Sequence, residues 1–164
     1  AILVSCEKSK KANLLNEEFS VLSEEEVQEF HAVAARIIPT DETPGATEAG
    51  VIYFIDNVLG DNREAEHETL RIGLREMQAA AAQKFNMSYF HELEPGQQDQ
   101  LLTEAEGTPF FGTIRFLTIA GMFSLPEYGG NRDKVGYELI GFEDRHAWQP
   151  PYGSYDADYA ERGE

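Results

Sequence analysis

Cysteine is almost absent from this 164-residue chain. Cys6 stands alone, so no disulfide can close within these residues and the fold must rest on packing. Cationic residues are scarce too: thirteen against thirty acidic ones, for a formal charge of −17. Such a surface repels nucleic-acid phosphates and anionic lipid, which makes both poor partners. No apolar run approaches the roughly 20 residues that cross a bilayer as a helix. Neither a Walker loop nor a GxGxxG turn is present, so the chain offers no recognisable cradle for a dinucleotide. CxxC and CxxCH are missing, which removes the motifs of thiol exchange and haem attachment. No alternating run is long enough for a strand, and no segment repeats. What is left, 41% hydrophobic and 11% aromatic, fits one globular domain with a core of its own.

The periodicity that is present is helical. In SEEEVQEFHAVAARIIP, Ser23 and Glu26 form a capping box, and Val27, Phe30, Ala34, Ile37 and Ile38 recur on one face until Pro39 stops the helix. The apolar run VIYFIDNVLG suits strand or helix by content; Gly60, placed as a C-terminal cap, argues for helix. Asp61 and Glu64 repeat the cap-plus-three spacing and open the longest helix, to about Phe85, with Leu70, Leu74, Met77, Ala81 and Phe85 as its stripe. Its alanine run, Ala79 to Ala82, would admit a close neighbour. Pro95 starts another helix, and Thr108 with Pro109 opens a last long one. That one, FFGTIRFLTIAGMFS, is apolar nearly all round and should be the central buried helix. The expectation is an all-α single domain of five to six helices over residues 22–144, preceded by a tether at 1–21 and followed by an extended aromatic arm at 145–164.

The two ends differ from the middle. AILVSC, followed by the polar EKSKKAN, is similar to the end of a bacterial lipoprotein leader, with Cys6 as the lipid attachment site. The other reading is a short apolar arm with an ordinary thiol. In the C-terminal arm, Pro150 and Pro151 forbid helix, while Trp148, Tyr152, Tyr155 and Tyr159 are too aromatic for a solvated tail. The arm lies along a partner or folds back on its own domain.

Catalytic groups are few. Glu64-x-x-His67 has the spacing used in di-iron bundles, but such a site needs a second copy, and Gln28 before His31 and Ser88 before His91 do not supply it. An acidic first helical turn explains the pair as well. There is no GxSxG nucleophile elbow. Nothing in the sequence amounts to an active site, and no cofactor is expected in this chain. Binding of a metal or small ligand through Glu64 and His67 is the alternative function.

The segment PEYGGNRDKVGYELIGFED, residues 126–144, asks for more than a turn. Pro126 ends the preceding helix, Gly129 and Gly130 permit positive φ, Asn131 suits the N-cap of a short helix, and Gly141 ends it. Val135, Leu139 and Phe142 could then face the core. Tyr128, Arg132 and Lys134 remain unexplained beside the glycines, two cations in a strongly acidic chain. This segment resembles the signature of the gluconate 2-dehydrogenase subunit 3 family, and residues 22–56 are similar to that family's N-terminal half.

The resemblance implies a small, mostly helical, non-catalytic subunit. It would pair with a large FAD-containing dehydrogenase subunit of the glucose–methanol–choline type, which oxidises sugars, sugar acids or polyols. A cytochrome c often takes the electrons. The small subunit commonly supports folding and export of the flavoprotein, often through a twin-arginine leader, which implies a periplasmic location, lipid-anchored if Cys6 is modified. By position, Tyr128, Gly129, Gly130, Asn131, Arg132 and Tyr137 match the family segment and are expected to serve fold and partner contact. Trp148, Tyr152 and Tyr155 join them as contact candidates on composition alone.

Overall fold

Ser23 opens the first helix. In the computed structural model, which describes residues 18–144 and Arg162, its hydroxyl accepts from the Glu26 backbone N–H and the Glu26 carboxylate accepts from the Ser23 N–H at 2.8 Å. Helix α1 (Glu24–Ile37) buries Val27, Phe30 and Ala34 as its spacing predicts, and Val33 as well. Ile37 and Ile38 are only half-buried, and the helix ends before Pro39.

Helix α2 (Val51–Leu59) is helical, as expected, and buries Val51, Ile52, Phe54, Ile55 and Leu59. Gly60 is its C-cap, as expected, its N–H donating to Asp56 C=O at 3.0 Å, though with right-handed backbone (φ −73°); Asn62, two residues later, takes the left-handed conformation (φ 54°). Asp61, by contrast, does not cap the next helix. Helix α3 (Glu64–Phe85) starts after Arg63, with no side-chain cap, and Glu64 and Glu66 lie in its first turn beside the positive end of the dipole. Leu70, Leu74, Met77 and Ala81 form its buried stripe, and Phe85 is half-buried.

Of Ala79 to Ala82 only Ala81 is buried, whereas a Cβ on Gly73 would sit 2.3 Å from the Phe110 side chain. Gly73 costs about 1 kcal/mol of helix propensity relative to alanine, and in return Phe110 lies across α3 with almost no exposure.

Helix α4 (Pro95–Ala105) begins with Pro95 in its first turn and a box formed by Glu94 and Gln97. Thr108 caps α5 (Pro109–Phe123), accepting from Phe111 N–H at 3.2 Å. A short α6 (Val135–Leu139) follows two single-turn 3₁₀ helices, Pro126–Tyr128 and Arg132–Lys134. Among the described residues there are six α-helices and no strand. Helix α5 is the hub, packing against each of the other five. Phe30, Ile52, Ile55, Leu70, Ile114 and Met122 are essentially sealed from water around it, each worth about 1.5–3 kcal/mol of transfer free energy.

The hub is not buried all round. Phe110, Ile114, Leu117 and Met122 face the core, but Phe116 keeps 67% of its surface and Ile119 is also exposed. The expectation of a fully buried helix is therefore corrected: an all-apolar helix carries no periodic signal for which side its neighbours cover.

Candidate functional site

Three carboxylates are buried in this domain, and each fastens one piece of chain to another. Asp56 on α2 accepts four hydrogen bonds from the segment before α1: Ser20 N–H and Oγ at 2.8 and 2.7 Å, and Val21 and Leu22 N–H at 3.0 Å each. Burial alone would raise its pKa; these donors outweigh it and hold the group below the usual carboxylate range. Glu26 does more than close its capping box. Its other oxygen receives Arg71 Nε at 2.7 Å and His67 Nε2 at 2.9 Å, both from α3. Here too burial pushes upward, and the bonds from Arg71, Ser23 and His67 bring the pKa below its ordinary value. Glu29, with no exposure, accepts from the backbone N–H groups of Phe90 and His91 at 3.0 and 3.3 Å. His91 Nδ1 lies 3.4 Å from the same carboxylate without forming a hydrogen bond.

Glu64 and His67 have different surroundings. His67 is buried against Glu26, and Glu64 is exposed at the start of α3. Among the described residues no group of three His, Cys, Asp or Glu could hold a metal ion.

The segment after α5 is fastened differently. Asn131 is completely buried, with left-handed backbone (φ 46°). Its N–H donates to Gly121 C=O at 2.8 Å and its side-chain N–H to Ser124 C=O at 2.9 Å, satisfying carbonyls that the end of α5 leaves open. Its side-chain oxygen accepts from Gly136 N–H at 2.9 Å, in the first turn of α6. Asn131 thus does the work of a cap, but from outside the N-cap position, which Lys134 occupies. The 3₁₀ turn between them explains the correction: it shifts the start of α6 by several residues.

The glycines allow this arrangement. Gly129 has φ +100°, a conformation only glycine adopts at little cost. Gly130 serves another purpose than positive φ: a Cβ there would meet Gly121 C=O oxygen at 2.2 Å. A Cβ on Gly136 would lie 2.0 Å from the Met122 carbonyl oxygen. Two strands of backbone therefore press directly on the last turn of α5. Gly141 ends α6 as its sequence predicts. Gly141 N–H donates to Glu138 C=O, Phe142 N–H to Tyr137 C=O, and the Tyr137 and Phe142 rings meet edge to face at 4.8 Å. This is a complete Schellman motif with its apolar contact. Tyr137 is the buried member of α6; Leu139 and Phe142 are exposed and Val135 only half-buried, against expectation, because five residues of helix offer one inward face.

Of the residues expected to contact a partner, Gly130, Asn131 and Tyr137 face inward. Tyr128 points outward, 53% exposed, while its carbonyl accepts from Asn57 Nδ2 at 3.2 Å, which hangs the turn on α2. Arg132 is exposed yet placed: its guanidinium carbon lies 3.5 Å above the Tyr53 ring centroid, its stem packs on Gly50, and its N–H donates to Ala49 C=O at 3.0 Å. Lys134 pairs with Asp144 at 2.9 Å, which raises the lysine pKa. Cys6, Trp148, Tyr152 and Tyr155 lie outside the described residues.

One feature escaped the sequence reading. Nine large hydrophobic side chains are exposed among the described residues, and seven belong to residues 116–142. Phe116, Ile119, Leu125 and Tyr128 extend along and beyond α5, and Leu139, Ile140 and Phe142 follow α6. Exposed apolar side chains that gather on one surface mark interaction sites. The family described as gluconate 2-dehydrogenase subunit 3 matches residues 24–144. No curated protein and no solved structure matches the chain.

Proposed function

The chain belongs to the gluconate 2-dehydrogenase subunit 3 family, and from that premise we propose that it is the small, non-catalytic subunit of a periplasmic dehydrogenase complex. Its partner is a large flavoprotein that holds FAD and oxidises a sugar, sugar acid or polyol, passing electrons on to an acceptor such as a cytochrome c. The small subunit supports folding, export and stability of that flavoprotein. The observation that carries this reading is the concentration of exposed apolar side chains within residues 116–142, inside the family match. The polar groups that chemistry could use, Glu26, Glu29, Asp56 and His67, are engaged in holding the fold together. Cys6 carries the lipid in this reading. A single acyl chain binds membranes only marginally, so stable anchoring needs more than one.

Co-expression with a candidate FAD-containing dehydrogenase subunit from the same organism tests the proposal. The expected product is a yellow complex of two chains that oxidises the substrate. The small chain alone should be colourless and inactive. Flavin bound to the isolated chain near one per molecule, or no association with the flavoprotein, would overturn the reading. Mass spectrometry of the native N-terminus checks Cys6; an unmodified thiol removes the lipid anchor and leaves the subunit role standing.

A further inference from the structure

Helix α5 presents an outward line of four residues, Gly112, Arg115, Phe116 and Ile119, spaced so that they share one face of the helix. Each is exposed, Phe116 the most of any large hydrophobic side chain described. Gly112 is the unusual member. It sits inside a 15-residue helix with φ in the ordinary helical range, and a Cβ there would meet nothing within 4 Å. Gly73, Gly130 and Gly136 each make room for an atom of this chain; among the described residues Gly112, like Gly96 near the start of α4, makes room for none. A glycine in a helix interior is unfavourable relative to alanine, and packing among the described residues gives no reason for it. Arg115 is the only charged residue of α5 and has no hydrogen-bond or ion-pair partner among the described residues.

We propose that this face of α5 is the seat of the flavoprotein subunit. Gly112 is the point of closest backbone approach, Phe116 enters an apolar recess of the partner, and Arg115 takes a partner carboxylate. The inference rests on the subunit reading given above and names the surface that serves it. Charge selects a different chain over a second copy of this one. Two-fold pairing along α5 would offer Arg115 no acid on the facing helix, and would join two chains of −17 each. A partner that is less acidic, with an apolar recess edged by a carboxylate, meets neither penalty. Arginine in a desolvated site forms paired hydrogen bonds to carboxylates, and anchors of this kind carry a large share of interface energy.

The test uses the full-length subunit with its flavoprotein. Gly112→Phe fills the open space, and Arg115→Glu reverses the charge. Each should weaken the complex at least tenfold, while the free subunit melts no lower than the parent. Arg115→Lys should recover only part of the loss. Gly112→Ala is the control for folding: it should raise the melting temperature of the free subunit and still weaken the complex measurably. If the parent chain forms the complex and Gly112→Phe and Arg115→Glu bind it within threefold of parent, the face is not the seat, although the subunit reading survives. If the parent chain forms no complex, that reading fails first. Two other occupants would also overturn the proposal. A concentration-dependent dimer of the free subunit abolished by Gly112→Phe would give the face to a second copy. Oxidative labelling of Phe116 that appears only when residues 145–164 are removed would give it to the chain's own arm.

Discussion

Two regions of this domain solve the same problem by opposite means. Before α1 and after α3, chain outside the α-helices is tied to them by buried carboxylates: Asp56 holds residues 20–22, and Glu29 holds Phe90 and His91 in a single 3₁₀ turn. At the end of α5, the joint itself is made by backbone pressed on backbone and by the neutral amide of Asn131. The first solution depends on ionisation, and beside Asp56 a Cβ on Gly60 would meet only ordinary contacts, 3.4 Å or longer. The second carries no ionisable group at its centre and has no space to spare. The difference predicts which insult each region resists: steric change should be tolerated better near Asp56, and acid better near Asn131.

The largest effect should come from adding a methyl group to the second region. Gly136→Ala must displace the Met122 carbonyl, and Gly130→Ala that of Gly121, so each should cost about 3 kcal/mol in denaturant unfolding. A loss below about 1 kcal/mol at both would mean the contact is easily relieved and the contrast is false. Next is Asn131→Ala, which strands the Gly136 N–H and the Ser124 carbonyl and should cost about 2–3 kcal/mol with no dependence on pH between 3 and 7. Asn131→Asp sharpens the point. Its buried carboxyl would face the Ser124 carbonyl, raising its folded-state pKa, so the variant should lose stability as pH rises rather than falls.

The first region should show the reverse sign. The pKa of Asp56 is lowered in the fold, so its contribution is complete above the ordinary value of about 4 and disappears as pH falls through the lowered one. Asp56→Asn should therefore cost about 2 kcal/mol at neutral pH, and the variant and parent should converge in acid. Parallel unfolding curves at every pH would sink the claim. The smallest effect belongs to Arg132→Ala, which removes a contact with the Tyr53 ring worth about 1 kcal/mol. If Arg132 also anchors the flavoprotein, complex affinity should fall by clearly more than the melting of the free subunit accounts for.

The comparison also explains what could be read in advance. Ser23 with Glu26, Pro95, Thr108 and Gly141 act on partners within a few residues, so their roles were visible in the sequence. Asp56 acts on residues more than thirty positions away, and nothing local marks it. Asn131 was recognised as a capping residue but assigned to the wrong geometry, because Asp133 and Lys134 also turn left-handed before α6 begins. Gly60 ends α2 as its position predicts, but Asp61 does not open α3: Asn62 turns left-handed between them and Arg63 takes the N-cap position. The outward face of α5 was hidden by its own composition: when every position is apolar, only the neighbours decide which side stays wet.

Tyr53 gives the arrangement of the domain a mechanical sense. The Phe19 ring stacks on it at 5.3 Å, and Arg132 lies over the same ring. The chain therefore enters the domain beside the segment that the family shares, with Asp56 gripping the very next residues. A pull on the N-terminal residues would be borne by four hydrogen bonds before it reached any helix. From Cys6 to Glu18 an extended chain spans at most about 40 Å. A lipid at Cys6 would thus act as a short leash on the Tyr53 end, keeping the Tyr128 turn close to the bilayer and limiting how far from the membrane an attached enzyme could swing.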